Sequence, residues 1–580
     1  MAQDDFHPKL GRIRDSRSSR TRRHAALVFR QAGKKGARAL LQRGHIAPGS
    51  LTRGMGTGVR AAAGLIAPGS RRVIVKARYT RILNGNLGAA QAHMKYIVRD
   101  GVTREGTPGR LYDANGDDVD GEAFLARSAD DPHQFRFIVS ADESAQLSDL
   151  KPFIRDLLTQ MERDLDTKLD WVAVDHFNTG HPHTHVVIRG KDDRGNDLVM
   201  ARDYIAHGIR ARAQSLVTLE LGPETQLERM QKLFNEVGQE RLTRLDRALL
   251  GRAKNNILVV TAAEELDPTQ HTLRVGRLKT LERLGIAEER QQGVWALDSH
   301  MEAKLRQLGQ RADKFKMMQR ALLEAGIERS VAAMALFERG PRKNPLVGKV
   351  VGVGLVDEIS DHTWVVIDAM DGRAHYAELG RLKPTDAPVR GTIVALAGDS
   401  LDGKPSPVPK LQTISPVALE KQTTYNGPTW LDEAILSRWQ PEPETPGFAG
   451  QVRAALATRK DWLVEHRVAT IAPSGDLTLT PDMMRILRKA ETDRIVQQLS
   501  RELNATYVST EPGARITGVY NRAIATPTGK LAVIHRQDTF TLAPWRPALE
   551  PLRGRAVTGM VSPSRVAWNL DRGRGLPDRN

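Results

Sequence analysis

Cysteine is absent from the 580 residues, and aromatic side chains make up only 5%. Without cysteine there is no disulfide scaffold, no thiolate zinc site and no cysteine nucleophile. Long apolar runs are missing too: nothing approaches the ~18 consecutive apolar residues of a membrane span. The first residues, MAQDDFHPKL, lack the basic-then-apolar layout of a secretory signal. No G-x-x-x-x-G-K-[ST] loop occurs, so no helicase is expected on this chain. A soluble, multidomain, cytoplasmic protein is the expectation, with no membrane span.

What is present in excess is positive charge, 86 Lys+Arg against 69 Asp+Glu. It is unevenly placed, for residues 1–72 hold 16 Lys/Arg against three Asp. That stretch, rich in Gly, Ser and Ala and containing IAPGS twice, reads as a disordered basic arm. Such an arm gains affinity for polyanions by releasing their counterions. The bland alternative is a solubilising tail.

From residue 73 to 222, strand patterns (RRVIVKARYTRIL, DPHQFRFIVS, LDWVAVDH, THVVIRG) interleave with helical ones. An α+β domain is expected, and the short loop between the last two strands favours an antiparallel pairing. Residues 223–340 look mostly helical. Within them, 270–298 run from a basic helix to a short aromatic strand, the layout either of a winged helix or of an ordinary helical subdomain. A small β-rich module is expected at 346–420, a linker and helical module at 421–505, and a C-terminal β-rich module at 506–580.

Four of the 16 histidines fall within DHFNTGHPHTH: His176, His181, His183 and His185. Strand side chains alternate faces, so His181, His183 and His185 share a side if the strand begins early. If 177–182 is instead a hairpin loop, His176 lies opposite His183 and diagonal to His185. Opposed Cβ atoms lie ~4.5–5.5 Å apart, close enough for imidazoles to converge on one ion. Either way a three-histidine site with open coordination positions is expected. Incidental histidines at strand ends are the alternative.

Tyr96 lies in GAAQAHMKYIVRDG, on a helix expected from about Leu87 to Arg99. Ala90, Met94, Ile97 and Val98 form the apolar side of that helix, and the tyrosine sits at its polar boundary. A phenol has a pKa near ~10 and needs a neighbouring cation or base to attack. Tyr79, in a strand, and Tyr112, in a Gly/Asp-rich loop, are rival nucleophiles.

A-x-x-H-x-x-Y-I-x-R-D-G, then FRFIVS, then D-H-F-N-T-G-H-P-H-T-H-V-V-I, in that order, resembles the conjugative relaxases. More narrowly, the chain is similar to the MobP mobilisation nucleases related to the T-DNA border nickase, within the HUH endonuclease superfamily. The resemblance covers roughly residues 73–220, and the segments after it resemble an uncharacterised C-terminal extension found in a proteobacterial branch of these relaxases. It implies a core with a central antiparallel sheet flanked by helices. It implies Tyr96 as nucleophile, His183 and His185 as two metal ligands, and His176 as the third with His181 as alternative. Ser140, Arg99 and Arg189 become DNA contacts, and Mg²⁺ or Mn²⁺ the cofactor. The partners it implies are single-stranded DNA at an origin of transfer, relaxosome accessory proteins and a type IV coupling protein, in the bacterial cytoplasm. The long basic arm departs from the family pattern. The expected reaction is strand nicking through a 5′-phosphotyrosyl adduct, with religation. Rivals are a rolling-circle replication initiator, a non-catalytic DNA-binding regulator or relaxosome protein, and a metal hydrolase unrelated to DNA.

Overall fold

The computed structural model describes residues 69–82, 87–99, 102–105, 107–147, 149–177, 182–261, 267–338, 345–356, 362–382, 387–398, 408–511, 513–562 and 565–569. The basic arm up to residue 68 and His181 lie outside them. The chain is mixed α+β with several separate sheets, and it divides into two compact units, Met1–Arg311 and Ala312–Asn580.

The first unit is built on a four-stranded, fully antiparallel sheet of order β1-β2-β4-β3. Its strands are β1 (Val73–Arg81), β2 (His133–Ala141), β3 (Trp171–His176) and β4 (His183–Arg189). Between β1 and β2 come the helices α1 (Gly88–Ile97) and α2 (Gly121–Arg127). After β2 comes α3 (Leu150–Leu165), and after β4 a π-helical turn, Tyr204–Gly208, leads into α4 (Ile209–Leu221). Gly190, just past β4, has to be glycine: an added Cβ would stand 2.0 Å from the His133 carbonyl oxygen.

Period-two alternation divides the sheet into two faces. On one, Val73, Val75 and Ala77 of β1 join Phe135, Phe137 and Val139 of β2, Trp171 and Ala173 of β3, and Val186 and Ile188 of β4 in a single core. Helix α3 covers this face because its apolar residues recur at helical spacing: Leu150, Phe153, Ile154, Leu157, Leu158, Met161 and Leu165 are all buried. The Asp149 side chain caps its start by accepting from the Lys151 amide, and Asp166, at φ 51, ends it in the left-handed region. On the opposite face Val172, Val174 and Val187 pack with Ala90, Met94 and Ile97 of α1 and with Phe124 and Leu125 of α2.

The first unit continues with α5 (Gln226–Val237), α6 (Arg244–Arg252), β5 (Ile257–Val259), α7 (Pro268–Arg283) and the strands β6 (Ala287–Gln291) and β7 (Val294–Leu297). The helix-then-hairpin order read at 270–298 is present, and β5 adds a third strand in the order β5-β7-β6. Helix α8 (Met301–Glu324) runs across the division between the units.

The second unit holds β8 (Met334–Leu336), β9 (Leu346–Leu355), β10 (His362–Ala369), β11 (Ala374–Arg381), β12 (Ile393–Ala397) and β13 (Lys410–Ser415) in one sheet. Next come the helices α9 (Leu419–Gln422), α10 (Trp430–Leu436) and α11 (Phe448–Glu465), the hairpin of β14 (Ala469–Ile471) and β15 (Leu477–Leu479), and α12 (Met483–Leu503). A last sheet contains β16 (Thr506–Tyr507), β17 (Arg515–Thr526), β18 (Gly529–Arg536), β19 (Thr539–Pro544), β20 (Ala556–Ser562) and β21 (Arg565–Asn569). No helix among the described residues is long and apolar enough to cross a membrane.

Candidate active site

The β3–β4 register sets the histidines. His176 pairs directly with His183, and Val174 pairs with His185. Of the two arrangements open in the sequence, the hairpin one is therefore found, and His176 completes the trio. The three are buried, at 0%, 6% and 1% exposure. One nitrogen from each lies within 4.8 Å of the other two, and the ring centroids of His176 and His185 are 4.3 Å apart. A metal with bonds of ~2.0–2.1 Å to nitrogen would draw the three donors closer together than this, to about 3–3.5 Å.

Helix α1 lies across the trio. Nε2 of His176 donates to the Ile97 carbonyl oxygen at 2.7 Å. That carbonyl can only accept, so the His176 proton sits on Nε2 and the lone pair on Nδ1 is left for a cation. An outer hydrogen bond of this kind fixes the tautomer and orientation of a ligating imidazole. His93, one turn before Tyr96 on the same helix, is buried with its ring centroid 6.2 Å from that of His185. Chemically, the donor set fits a divalent ion such as Zn²⁺, Mn²⁺ or Mg²⁺ with coordination positions to spare.

Tyr96 is half-buried on this helix and packs at the margin of the cluster formed by Met94, Ile97, Val174 and Val187. The Arg99 guanidinium covers its ring at 3.9 Å from the centroid and donates to the Tyr96 carbonyl oxygen at 2.9 Å. Both rival tyrosines belong to the other face of the sheet. Tyr112 is wholly buried in the α3-side core, where its hydroxyl donates to Asp175 at 2.9 Å. Burial first, and then the Asp175 charge, hold its phenol well above the ordinary range. Tyr79 packs against the same core, and burial raises its pKa as well. Asp175, between His176 and Val174, points to this core side; burial pushes it up to about 6 against the opposing hydrogen bonds from Thr184 and Tyr112.

Two residues expected at the DNA are occupied with other partners. Arg189 sits at the far end of β4 from His183, where its guanidinium binds both Asp131 oxygens, at 3.0 and 2.9 Å, and Asp170 at 3.0 Å. Those bonds, the Asp131 one foremost, raise its pKa and give it a structural task away from the histidines. The Ser140 hydroxyl donates to the Pro182 carbonyl oxygen at 3.1 Å. Ser144 donates to the same oxygen at 2.7 Å. Both serines thus tether the residue that leads into His183.

The face bearing the histidines also carries cations that sequence reasoning passed over. Arg78 on β1 faces Arg136 on β2, and Arg136 faces Val187 on β4. Both arginines are buried, at 8% and 2%, and the neighbouring Lys76 is exposed. The signal was available: Lys76 and Arg78 alternate with Val75 and Ala77, as Arg136 does with Phe135 and Phe137.

No curated protein and no solved structure matches the chain. One family model does, over residues 274–407 and 401–577, a span that follows the histidine-bearing sheet rather than including it. Because those matches cover more than half of the sequence, the chain belongs to the family described as Protein of unknown function (DUF3363).

Proposed function

We propose that this chain is a DNA relaxase, a metal-assisted nuclease that nicks one strand at an origin of transfer and rejoins it. One observation carries the reading: a tyrosine-bearing helix is hydrogen-bonded to a buried three-histidine cluster that can hold a cation. The order of tyrosine helix, serine strand and histidine hairpin supports it, as do Lys76, Arg78 and Arg136, which make that face electropositive for a phosphate backbone.

His176, His183 and His185 would hold a divalent ion, which supplies charge stabilisation for the scissile phosphate. The Tyr96 oxygen attacks phosphorus in line, forming the phosphotyrosyl bond as the bond to the 3′ oxygen breaks. The leaving oxygen takes a proton and the phenol loses one. Energy stays in the phosphotyrosyl ester, so the released 3′-hydroxyl can reverse the step without ATP. Arg99 and the apolar contacts of Met94 and Ile97 fix where the ring can stand.

Incubation with single-stranded origin oligonucleotides and Mg²⁺ or Mn²⁺ tests this. A DNA adduct stable to SDS and mapped to Tyr96 is expected. An adduct on another tyrosine, or none with any origin strand and either ion, rejects the assignment.

A further inference from the structure

Residues 243–415 and 429–569 are two copies of one design. Each opens on the same turn: Thr243-Arg-Leu-Asp246 and Thr429-Trp-Leu-Asp432 both form capping boxes. Each aspartate binds, through both oxygens, a fully buried arginine from the next long helix: Arg277 at 2.7 and 2.8 Å, and Arg459 at 2.8 Å twice. The remaining donors of each guanidinium take backbone carbonyls, of Val237 and Arg241 in one copy and of Tyr425 and Gly427 in the other. A hairpin follows, turning on Gly293 (φ 75) or Gly475 (φ 87), and then a long helix starting at Met301 or Met483. One spacing relates Arg277 to Arg459, Gly293 to Gly475 and Met301 to Met483.

The sheets that come next match as well. The first has the order β13-β12-β9-β10-β11-β8 and the second β21-β20-β17-β18-β19-β16, with β8 and β16 each parallel to its neighbour. Even single backbone bonds correspond. The Val350 amide donates to Thr392 at 2.9 Å and Gly391 to Val350 at 2.8 Å; the Tyr520 amide donates to Arg555 at 3.0 Å and Gly554 to Tyr520 at 2.8 Å.

Two things differ. In the first sheet, Val347 and Ile393 pack into the core formed with Leu419, Leu431 and Phe448. The equivalent Thr517 and Ala556 are exposed, beside Val519 and Met560 at 41% and 49% exposure. Charge also diverges: residues 346–415 hold seven Lys/Arg against nine Asp/Glu, whereas 515–569 hold eight against two. One of the added cations lies over an aromatic ring. Lys530 lies 4.7 Å from the Trp545 ring centroid, and the Trp545 indole donates to the Tyr520 hydroxyl at 3.0 Å. Arg546 and Arg555 are exposed nearby in sequence. The first copy has Thr363 and Leu379 where the second has Lys530 and Trp545.

We propose that the β17–β21 sheet is a second nucleic-acid site, binding single-stranded DNA through Lys530, Arg546 and Arg555 on phosphates and Trp545 on a base. A basic surface with an aromatic platform is what strand binding without sequence preference requires. Complementary charge selects this occupant for the face that carries Lys530 and Trp545, the opposite one from Thr517 and Ala556, over a neutral or acidic helix. The inference does not rest on the nickase reading, because it needs no chemistry at Tyr96.

The test uses the full chain carrying Tyr96→Phe, in EDTA, with labelled oligothymidylate followed by anisotropy across a salt series. Lys530→Gln, Arg546→Gln and Arg555→Gln together should weaken binding and flatten the slope of log Kd against log salt by about 2, at roughly 0.7 for each phosphate no longer neutralised. Arg373→Gln with Arg381→Gln, on the first sheet, should change neither quantity. Melting temperatures confirm that both variants are folded. Unchanged affinity and slope in the triple variant overturn the proposal. So does a loss confined to a duplex probe. A change in sedimentation with DNA binding intact also overturns it, by assigning the face to a protein partner.

Discussion

The two faces of the four-stranded sheet come from the same strands and do opposite work. Toward α3 the alternating positions are Val, Phe, Trp and Ile, closed over by a helix with seven buried apolar residues. Toward α1 the same strands offer three histidines, two buried arginines and a serine, with buried apolar positions at Ile138, Val172, Val174 and Val187. Stability is concentrated on one side, which leaves the other free to hold groups whose burial costs energy. A tyrosine's side of the sheet therefore says more about its role than its spacing from the histidines.

Substitutions that separate the faces sharpen this contrast. Tyr96→Phe should abolish adduct formation on origin oligonucleotides and leave the melting temperature unchanged; an adduct that persists would move the nucleophile elsewhere. His183→Ala with His185→Ala should remove both nicking and calorimetrically measured Mn²⁺ binding, while circular dichroism stays that of the parent. Full nicking in EDTA would break the metal requirement. Leu157→Ala, on the core side, should cost about 2–5 kcal/mol in denaturant unfolding, with nicking per folded molecule retained. Tyr112→Phe should cost about 1 kcal/mol through the missing hydrogen bond and leave adduct yield intact, which a nucleophile could not do. Smallest of all, Arg189→Gln should leave DNA affinity and its salt slope as they were; a flatter slope would return this residue to the phosphates.

Much of the site was legible because it is local. His176, His183 and His185 lie within ten residues on two directly paired strands, and period two determines which of their neighbours face the same way. Helix α3 was legible for a similar reason, its apolar spacing being uninterrupted. The occupation of Arg189 was not, since Asp131 and Asp170 approach it from distant parts of the chain. Nor was the bond from His176 to Ile97, which depends on how α1 settles on the sheet. The duplication left a trace in TRLDRALLGR and TWLDEAILSR, yet the two sheets share few side chains. What they keep is backbone pairing, together with glycines such as Gly348 and Gly518 where a Cβ would strike the adjacent strand.

The 2.7 Å bond between the His176 ring and the Ile97 carbonyl makes the tyrosine helix a lever on the histidines. Sliding that helix, as a strand threading past Tyr96 would tend to do, tilts one imidazole and alters the grip on any cation. By reciprocity, a cation that steadies this imidazole also steadies the phenol one residue before Ile97. Ion affinity and the placement of the Tyr96 ring become a single coupled variable, and chelation should register as a change in the surroundings of a tyrosine that touches no ion itself.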